Sequence, residues 1–129
     1  MQSTRITFTV AGEPASKERP RTVRAATGRP TTYTPRRTLQ AEAAVAAAWL
    51  QAGGRPQRDP HATYTVTVEF HNGTRRRRDV DNMLKLVLDA LNGHAWLDDA
   101  QVTAVHATKV HDPGCPHTTV TIDRNNADE

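Results

Sequence analysis

The sequence is poor in cysteine, aromatic residues and long apolar runs, and each shortage excludes a class of protein. Its one cysteine, Cys115, cannot form an internal disulfide, which indicates a reducing compartment. The longest apolar run, residues 43–50, is mostly alanine and falls far short of the ~20 residues that span a bilayer. No apolar stretch near the N-terminus resembles a signal peptide. We therefore expect a cytoplasmic protein with no membrane partner.

Several common catalytic motifs are also missing. The sequence has no P-loop, no glycine-rich dinucleotide fingerprint, no HExxH, no CxxC and no nucleophile-elbow pattern. These absences argue against a nucleotide cofactor, a zinc protease and a serine hydrolase. A length of 129 residues predicts one domain, residues 1–129, that folds without a disulfide or a structural metal.

The positive charge is unevenly distributed. The formal net charge is +3, but residues 1–37 alone hold eight Lys or Arg against two Glu. A second basic block, the unbroken arginine run of residues 75–78, is followed at once by Asp79 and Asp81. A basic surface of this kind indicates an acidic partner such as nucleic acid.

Four segments have the residue pattern of β-strands. Apolar and polar residues alternate over residues 5–10 and 63–70, and β-branched residues dominate 101–110 and 117–122. The turn-rich residues 111–116 between the last two segments favour an antiparallel hairpin.

Two segments have the pattern of helices. Thr38 can cap a first helix over residues 39–52, and a second is predicted over 79–92, where apolar residues recur at spacings of three and four. The predicted order is β-α-β-α-β-β, an α/β (α+β) fold with a mixed sheet of about four strands and two main helices packed on it. Residues 11–35 are predicted to be a long basic loop, and 123–129 a flexible tail.

Carboxylates cluster around the second predicted helix. Asp79 and Asp81 lie two residues apart, so they share a side only if Asp79 caps the helix or precedes it. Carboxylate oxygens are the ligands that Mg²⁺ prefers. Lys85 lies one turn after Asp81, within reach of a scissile phosphate.

A third carboxylate is expected from Asp98 or Asp99, which follow the apolar pair Trp96 and Leu97. If that pair pins the loop to the core, one of these aspartates lies near the first two. The alternative is that Asp81, Lys85 and Asp89 form only an ion-pair ladder on a solvated helix, at ~0.2 to 0.5 kcal/mol per pair. The residues alone leave both interpretations open.

A longer sequence pattern favours the metal site over the ion-pair ladder. RRRRDVDNMLK over residues 75–85, DAL over 89–91 and WLDDAQV over 96–102 closely resemble the RusA family of Holliday junction resolvases. Residues 12–33 are also similar to the basic N-terminal region of many phage-encoded relatives. The order of elements extends the resemblance more loosely to residues 5–123.

The resemblance implies a homodimeric, Mg²⁺-dependent endodeoxyribonuclease, with Mn²⁺ able to substitute, that makes paired symmetric nicks across a four-way DNA junction during recombination and repair. It implies metal ligation by Asp79, Asp81 and Asp99, and catalysis by these three and Lys85. Asp98 is the alternative third ligand, because the chain is one residue shorter than some relatives before Trp96; Asn82 and Asp98 are neighbours inside the motif. The implied DNA-binding residues are Lys17, Arg19, Arg21, Arg75, Arg76, Arg77 and Arg78.

Two other functions remain as alternatives: a non-catalytic basic DNA-binding module, and a nuclease acting on other branched DNA. A zinc site of His111, Cys115 and His117 is a weaker hypothesis, because these residues match no closed tetrahedral spacing. Trp49 is expected to pack in the core or in a dimer interface, and His106 to lie on a sheet face.

Overall fold

A computed structural model describes residues 4–125 as a mixed four-stranded sheet with two helices and a separate small hairpin, which confirms the predicted α+β class. The elements are β1 (Arg5–Ala11), β2 (Arg21–Arg24), β3 (Pro30–Tyr33), α1 (Arg36–Gln51), β4 (Tyr64–Asn72), α2 (Val80–Leu91), β5 (Val102–His111) and β6 (His117–Arg124). A short 3₁₀ turn, Asp99–Gln101, precedes β5.

The sheet order is β1-β6-β4-β5, so the predicted hairpin of the last two strands is wrong. Helix α2 connects β4 to β5, and a strand-helix-strand crossover of this kind makes the two strands parallel neighbours. β6 instead lies between β1 and β4, antiparallel to both. The chain must therefore cross the end of β4 after β5, and the amide of Asp112 donates to the Asn72 carbonyl there at 2.7 Å.

The core lies between one face of this sheet and the helices, as the alternating pattern predicts. The β4 side chains that face it are all less than 3% exposed: Tyr64, Val66, Val68 and Phe70. Trp49 of α1 is 3% exposed, which confirms its expected place in the core. Of the helices described between residues 4 and 125, neither is long and apolar enough to cross a membrane.

Helix α1 begins at Arg36, earlier than predicted, so Thr38 is not its cap. Pro35 occupies the N-cap position, and its carbonyl accepts from the amides of Thr38 and Leu39. The fixed proline backbone starts the turn without a capping side chain. Thr38 therefore lies inside the first turn, where it is only 2% exposed.

Two loop predictions also need correction. The predicted basic loop of residues 11–35 contains the exposed antiparallel hairpin β2-β3, closed by a turn in which Gly28 has φ +83°. Each of its strands has four residues, too few to produce a recognisable period. The predicted tail of residues 123–129 begins within β6, which extends to Arg124, and its last part, 126–129, lies outside the described residues.

Candidate active site

Asp79 and Asp81 lie at the N-terminus of α2. Asp79 is the N-cap residue and has an extended backbone (φ −81°, ψ 132°). This is the position that two carboxylates two residues apart need if they are to lie on one side. The Asp79 side chain makes no capping hydrogen bond, and among the described residues Asp81 Oδ1 accepts only from the neighbouring Asn82 amide, at 3.0 Å. Both residues are exposed, and within residues 4–125 neither forms an ion pair. These two carboxylates are therefore free to take a cation.

The ion-pair ladder exists in part. Lys85 Nζ lies 3.7 Å from Asp89 Oδ2, one turn along α2, and its side chain is 62% exposed. No ion pair in the described residues joins Lys85 to Asp81. The ladder thus accounts for Asp89 but not for Asp81.

Lys17 links α1 to α2 through two ion pairs, and its contact with DNA stays a prediction. Its ammonium lies 2.6 Å from Glu42 of α1 and 3.2 Å from Asp89 of α2. Burial lowers the pKa of Lys17, but the hydrogen bonds to Glu42 and Asp89 outweigh burial and raise it above its ordinary value. The Lys17 amide also donates to the Asn82 carbonyl at 3.0 Å, so this segment is fixed against the first turn of α2.

Asp98 and Asp99 have different roles in the 3₁₀ turn before β5. Asp98 caps the turn: its Oδ2 accepts from the Ala100 amide at 3.4 Å, and its amide donates to Gln101 Oε1. Asp99 Oδ1 accepts from the indole Nε1 of Trp96 at 2.8 Å. Trp96 is fully buried, so it anchors Asp99 to the core, whereas Leu97 is 45% exposed and anchors nothing.

Within one chain this turn is far from Asp79. Gln101 Nε2 donates to the Ala62 carbonyl, and the Trp96 ring packs 5.9 Å from the Tyr64 ring, so Asp99 lies at the start of β4. Asp79 follows the end of β4, and the length of α2 alone separates the two ends by ~18 Å. The expectation that the loop brings a third carboxylate near the first two is therefore wrong for a single chain.

The arginine run forms one wall of a groove beside Asp79, here called the arginine groove. The groove has a volume of about 490 Å³. It is lined by Glu13, Pro14, Ala15, Ser16, Glu18, Arg37, Thr38, Arg76, Arg77 and Arg78. Behind it, Lys109 Nζ of β5 donates to the Arg78 carbonyl at 2.6 Å. The groove thus joins the N-terminal basic segment, the start of α1 and the residues that lead into α2.

A histidine cluster lies at the same end of the sheet. The potential ligand atoms of His71, Asp112 and His117 lie within 4.8 Å of one another, because β4-β6 pairing places His71 opposite His117. Of the weaker hypothesis of a zinc site at His111, Cys115 and His117, only His117 belongs to this cluster. The His71 nitrogens lie 3.1 Å from Glu69 and 3.2 Å from Asp112, and its ring stacks on His117 at 4.1 Å.

These contacts make stability depend on pH. The hydrogen bond to Glu69, with help from Asp112, raises the pKa of His71 above its ordinary value despite burial. A histidine whose pKa is raised by folding contributes its full stabilisation at pH values below its pKa in the unfolded chain, ~6.5. This contribution is lost as the pH rises through its pKa in the folded protein. We expect the Tm advantage of the protein over His71→Gln, a few degrees at most, to be larger at about pH 6 than at about pH 8.5. Thermal melts at both pH values check this, and an equal advantage at both would contradict it.

Comparison with known proteins places this arrangement in a family. The family model described as endodeoxyribonuclease RusA matches residues 11–123. Relatives named crossover junction endodeoxyribonuclease RusA, from Escherichia coli K12, Shigella sonnei and Enterobacteria phage 82, are each 46% identical over 46 residues. That alignment covers 35% of this chain and 38% of each relative, well under two thirds of their length. The match over residues 11–123 nevertheless spans most of the chain, which therefore belongs to the endodeoxyribonuclease RusA family.

Proposed function

We propose that this protein is an endodeoxyribonuclease that resolves four-way DNA junctions with a divalent metal ion. The observation that carries the proposal is the pair of unneutralised carboxylates, Asp79 and Asp81, at a helix N-terminus beside the arginine groove. Carboxylates next to a phosphate-binding surface would repel DNA unless a cation lay between them. The relatives named as crossover junction endodeoxyribonucleases support the junction as substrate. A DNA substrate and the lone Cys115 support a cytoplasmic location.

Asp79 and Asp81 suit Mg²⁺, with Mn²⁺ as a substitute. Both offer hard oxygen donors, and the Asp79 carboxylate has no capping bond to give up. When bound, the ion supplies a Lewis acid at the phosphate and an acidified water. Lys85, one turn along α2 with an exposed ammonium, stabilises the negative charge that develops at the phosphorus centre. Asn82 lies between Asp81 and Lys85 in the sequence, and its backbone amide donates a hydrogen bond to Asp81 Oδ1.

We propose that the third carboxylate, Asp99, comes from the partner subunit of a homodimer. β5 is an edge strand of ten residues that leaves Val105 and Val110 exposed, and long exposed edges favour pairing with another chain. Antiparallel pairing of two β5 strands about a two-fold axis would bring the start of one beside the end of the other. The end of β5 is tied to Arg78 through Lys109. Asp99 of one subunit would then approach the partner's Asp79, and the axis would generate the two sites that symmetric nicking requires.

A synthetic four-way junction incubated with the protein in Mg²⁺ or in EDTA tests the proposed function. We expect paired symmetric nicks in Mg²⁺ and binding without cleavage in EDTA. Retarded migration without cleavage in both would favour a non-catalytic DNA-binding module. Faster cleavage of flaps or forks than of junctions, in direct competition, would favour the other branched-DNA nuclease.

The arginine run should dominate the salt dependence of DNA binding. Each cation that neutralises a phosphate contributes a slope of ~0.9 to the fall of log K with log salt. The double variant Arg76→Ala/Arg77→Ala should therefore weaken junction binding and flatten the slope by about 2. Salt titrations by fluorescence anisotropy in EDTA measure both. Arg5→Ala is the matched control, because Arg5 lies on β1, the sheet edge far from β5, and is paired with Asp123 of β6. An unchanged slope in the double variant would mean that these arginines do not contact the DNA backbone.

A further inference from the structure

We infer that the arginine groove binds one backbone phosphate of the DNA, and that Thr38 Oγ1 and Arg78 Nε donate hydrogen bonds to it. The inference deepens the proposed function and rests on it, because DNA is taken as the source of the phosphate. It adds Thr38, on α1, to the groups that contact the substrate.

The two atoms are marked by what they lack in the protein alone. Within residues 4–125, four buried side-chain polar atoms have no hydrogen-bond partner: Thr38 Oγ1, the Tyr64 hydroxyl, Asn72 Oδ1 and Arg78 Nε. Two of these atoms belong to residues that line the same groove, Thr38 and Arg78. A buried polar atom without a partner costs folding free energy, and such atoms in native proteins call for a ligand or another explanation. Arg78 Nε can only donate a hydrogen bond and the Thr38 hydroxyl can also donate one, so a single acceptor group would satisfy both.

The charge of the groove specifies an anion. It contains the guanidinium groups of Arg37, Arg76, Arg77 and Arg78 against two carboxylates, so it is net positive. Both carboxylates are already engaged: Glu13 Oε1 accepts from the Gly73 amide at 2.9 Å, and Glu18 lies 3.1 Å from Arg37. The groove also lies at the N-terminus of the 16-residue helix α1, whose unpaired amides and dipole favour a negative group.

The position of the groove makes a DNA phosphate the natural anion. Arg78 immediately precedes Asp79, and Lys17 holds the opposite segment against Asn82 in the first turn of α2. A phosphate bound here would lie on the strand that enters the carboxylate site. Guanidinium groups with a hydroxyl match the several acceptor oxygens of a phosphate diester. The groove would thus fix where along the strand the scissile bond lies.

Thr38→Val tests the inference, because it keeps the shape of the side chain and removes only the hydroxyl. We expect the dissociation constant for DNA in EDTA to rise about tenfold, the loss expected for a hydrogen bond to a charged group. The Tm should stay equal or rise, because the variant removes an unpartnered buried hydroxyl from the free protein. Thr38→Ser should bind like the unaltered protein. Thr121→Val is the control, since Thr121 lies on β6 with its hydroxyl paired to Thr7.

Arg78→Lys provides a second test that keeps the charge. Lysine lacks the Nε donor, so binding should weaken although the salt slope stays the same. The inference is overturned if Thr38→Val binds DNA as tightly as the unaltered protein, or if it loses binding together with Tm. Failure of the proposed function would look different: the unaltered protein would bind junctions but leave them uncut in Mg²⁺, while the effect of Thr38→Val on binding remained.

Discussion

Asp81→Asn is expected to cut four-way junctions at least about two orders of magnitude more slowly than the unaltered protein while folding normally. The amide keeps the size of the side chain and an oxygen that can still accept from the Asn82 amide. It removes the negative charge that a divalent cation needs. Junction affinity in EDTA should stay equal or rise, because one anion that faces the phosphates has gone. Single-turnover cleavage, anisotropy and a thermal melt measure the three quantities.

Lys85→Met is the matched comparison on the same helix. It should also lose cleavage, but it should bind no more tightly, because it removes a cation. It breaks the pair with Asp89, yet Asp89 keeps Lys17, so the fold should survive. If Asp81→Asn cut at a near normal rate, or lost cleavage and binding in parallel with Tm, the carboxylate would have only a structural role.

Mixing two inactive variants is expected to restore cleavage. If Asp81 and Asp99 of different subunits form each site, Asp81→Asn and Asp99→Asn each inactivate both sites of their own homodimer. A mixed dimer then holds one site with both substitutions and one with neither. Random pairing makes about half of the dimers mixed, so about a quarter of all sites should be intact. The product should be a junction nicked in one strand, because only one site of each mixed dimer acts.

The two variants should be produced together with different affinity tags and the mixed dimer purified. Light scattering on the unaltered protein should give about twice the 14.2 kDa chain mass. Mixed dimers as inactive as either parent would mean that the carboxylates act within one chain. An Asp99→Asn homodimer that cuts normally would mean that Asp99 is not a ligand. A mixture of Asp79→Asn with Asp81→Asn is the control: both substitutions lie at the same end of α2, so no site should be restored.

The sequence was most informative where periodicity and spacing act locally. The apolar period of α2 located the helix to within a residue or two. The two-residue spacing of Asp79 and Asp81 required Asp79 to cap or precede the helix if the two were to share a metal, and Asp79 is the N-cap residue. Thr38 illustrates the opposite case. A threonine before a helical pattern resembles a cap, but the helix begins three residues earlier, with Pro35 as its N-cap. Thr38 therefore lies inside the first turn, where it is buried.

Strand neighbours were harder to predict, because the pairing of β-strands is decided by distant segments. The turn residues between β5 and β6 indicate only that the chain reverses, and they carry no information on which strand lies alongside. The crossover through α2 fixes β5 beside β4, and this also separates Asp99 from Asp79. His71 and His117 came together through the pairing of β4 with β6, a register that no local pattern reveals.

The central place of β6 also determines the order in which the protein can fold during synthesis. Among the strands described between residues 4 and 125, β1 neighbours only β6, and Arg5 pairs with Asp123, 118 residues later. When β1 leaves the ribosome, β6 has not yet been made. The sheet therefore closes in one late, long-range step, whose loop-closure entropy slows folding. Until then β1 and β4 each expose an open edge, and the nascent chain is open to pairing with other chains.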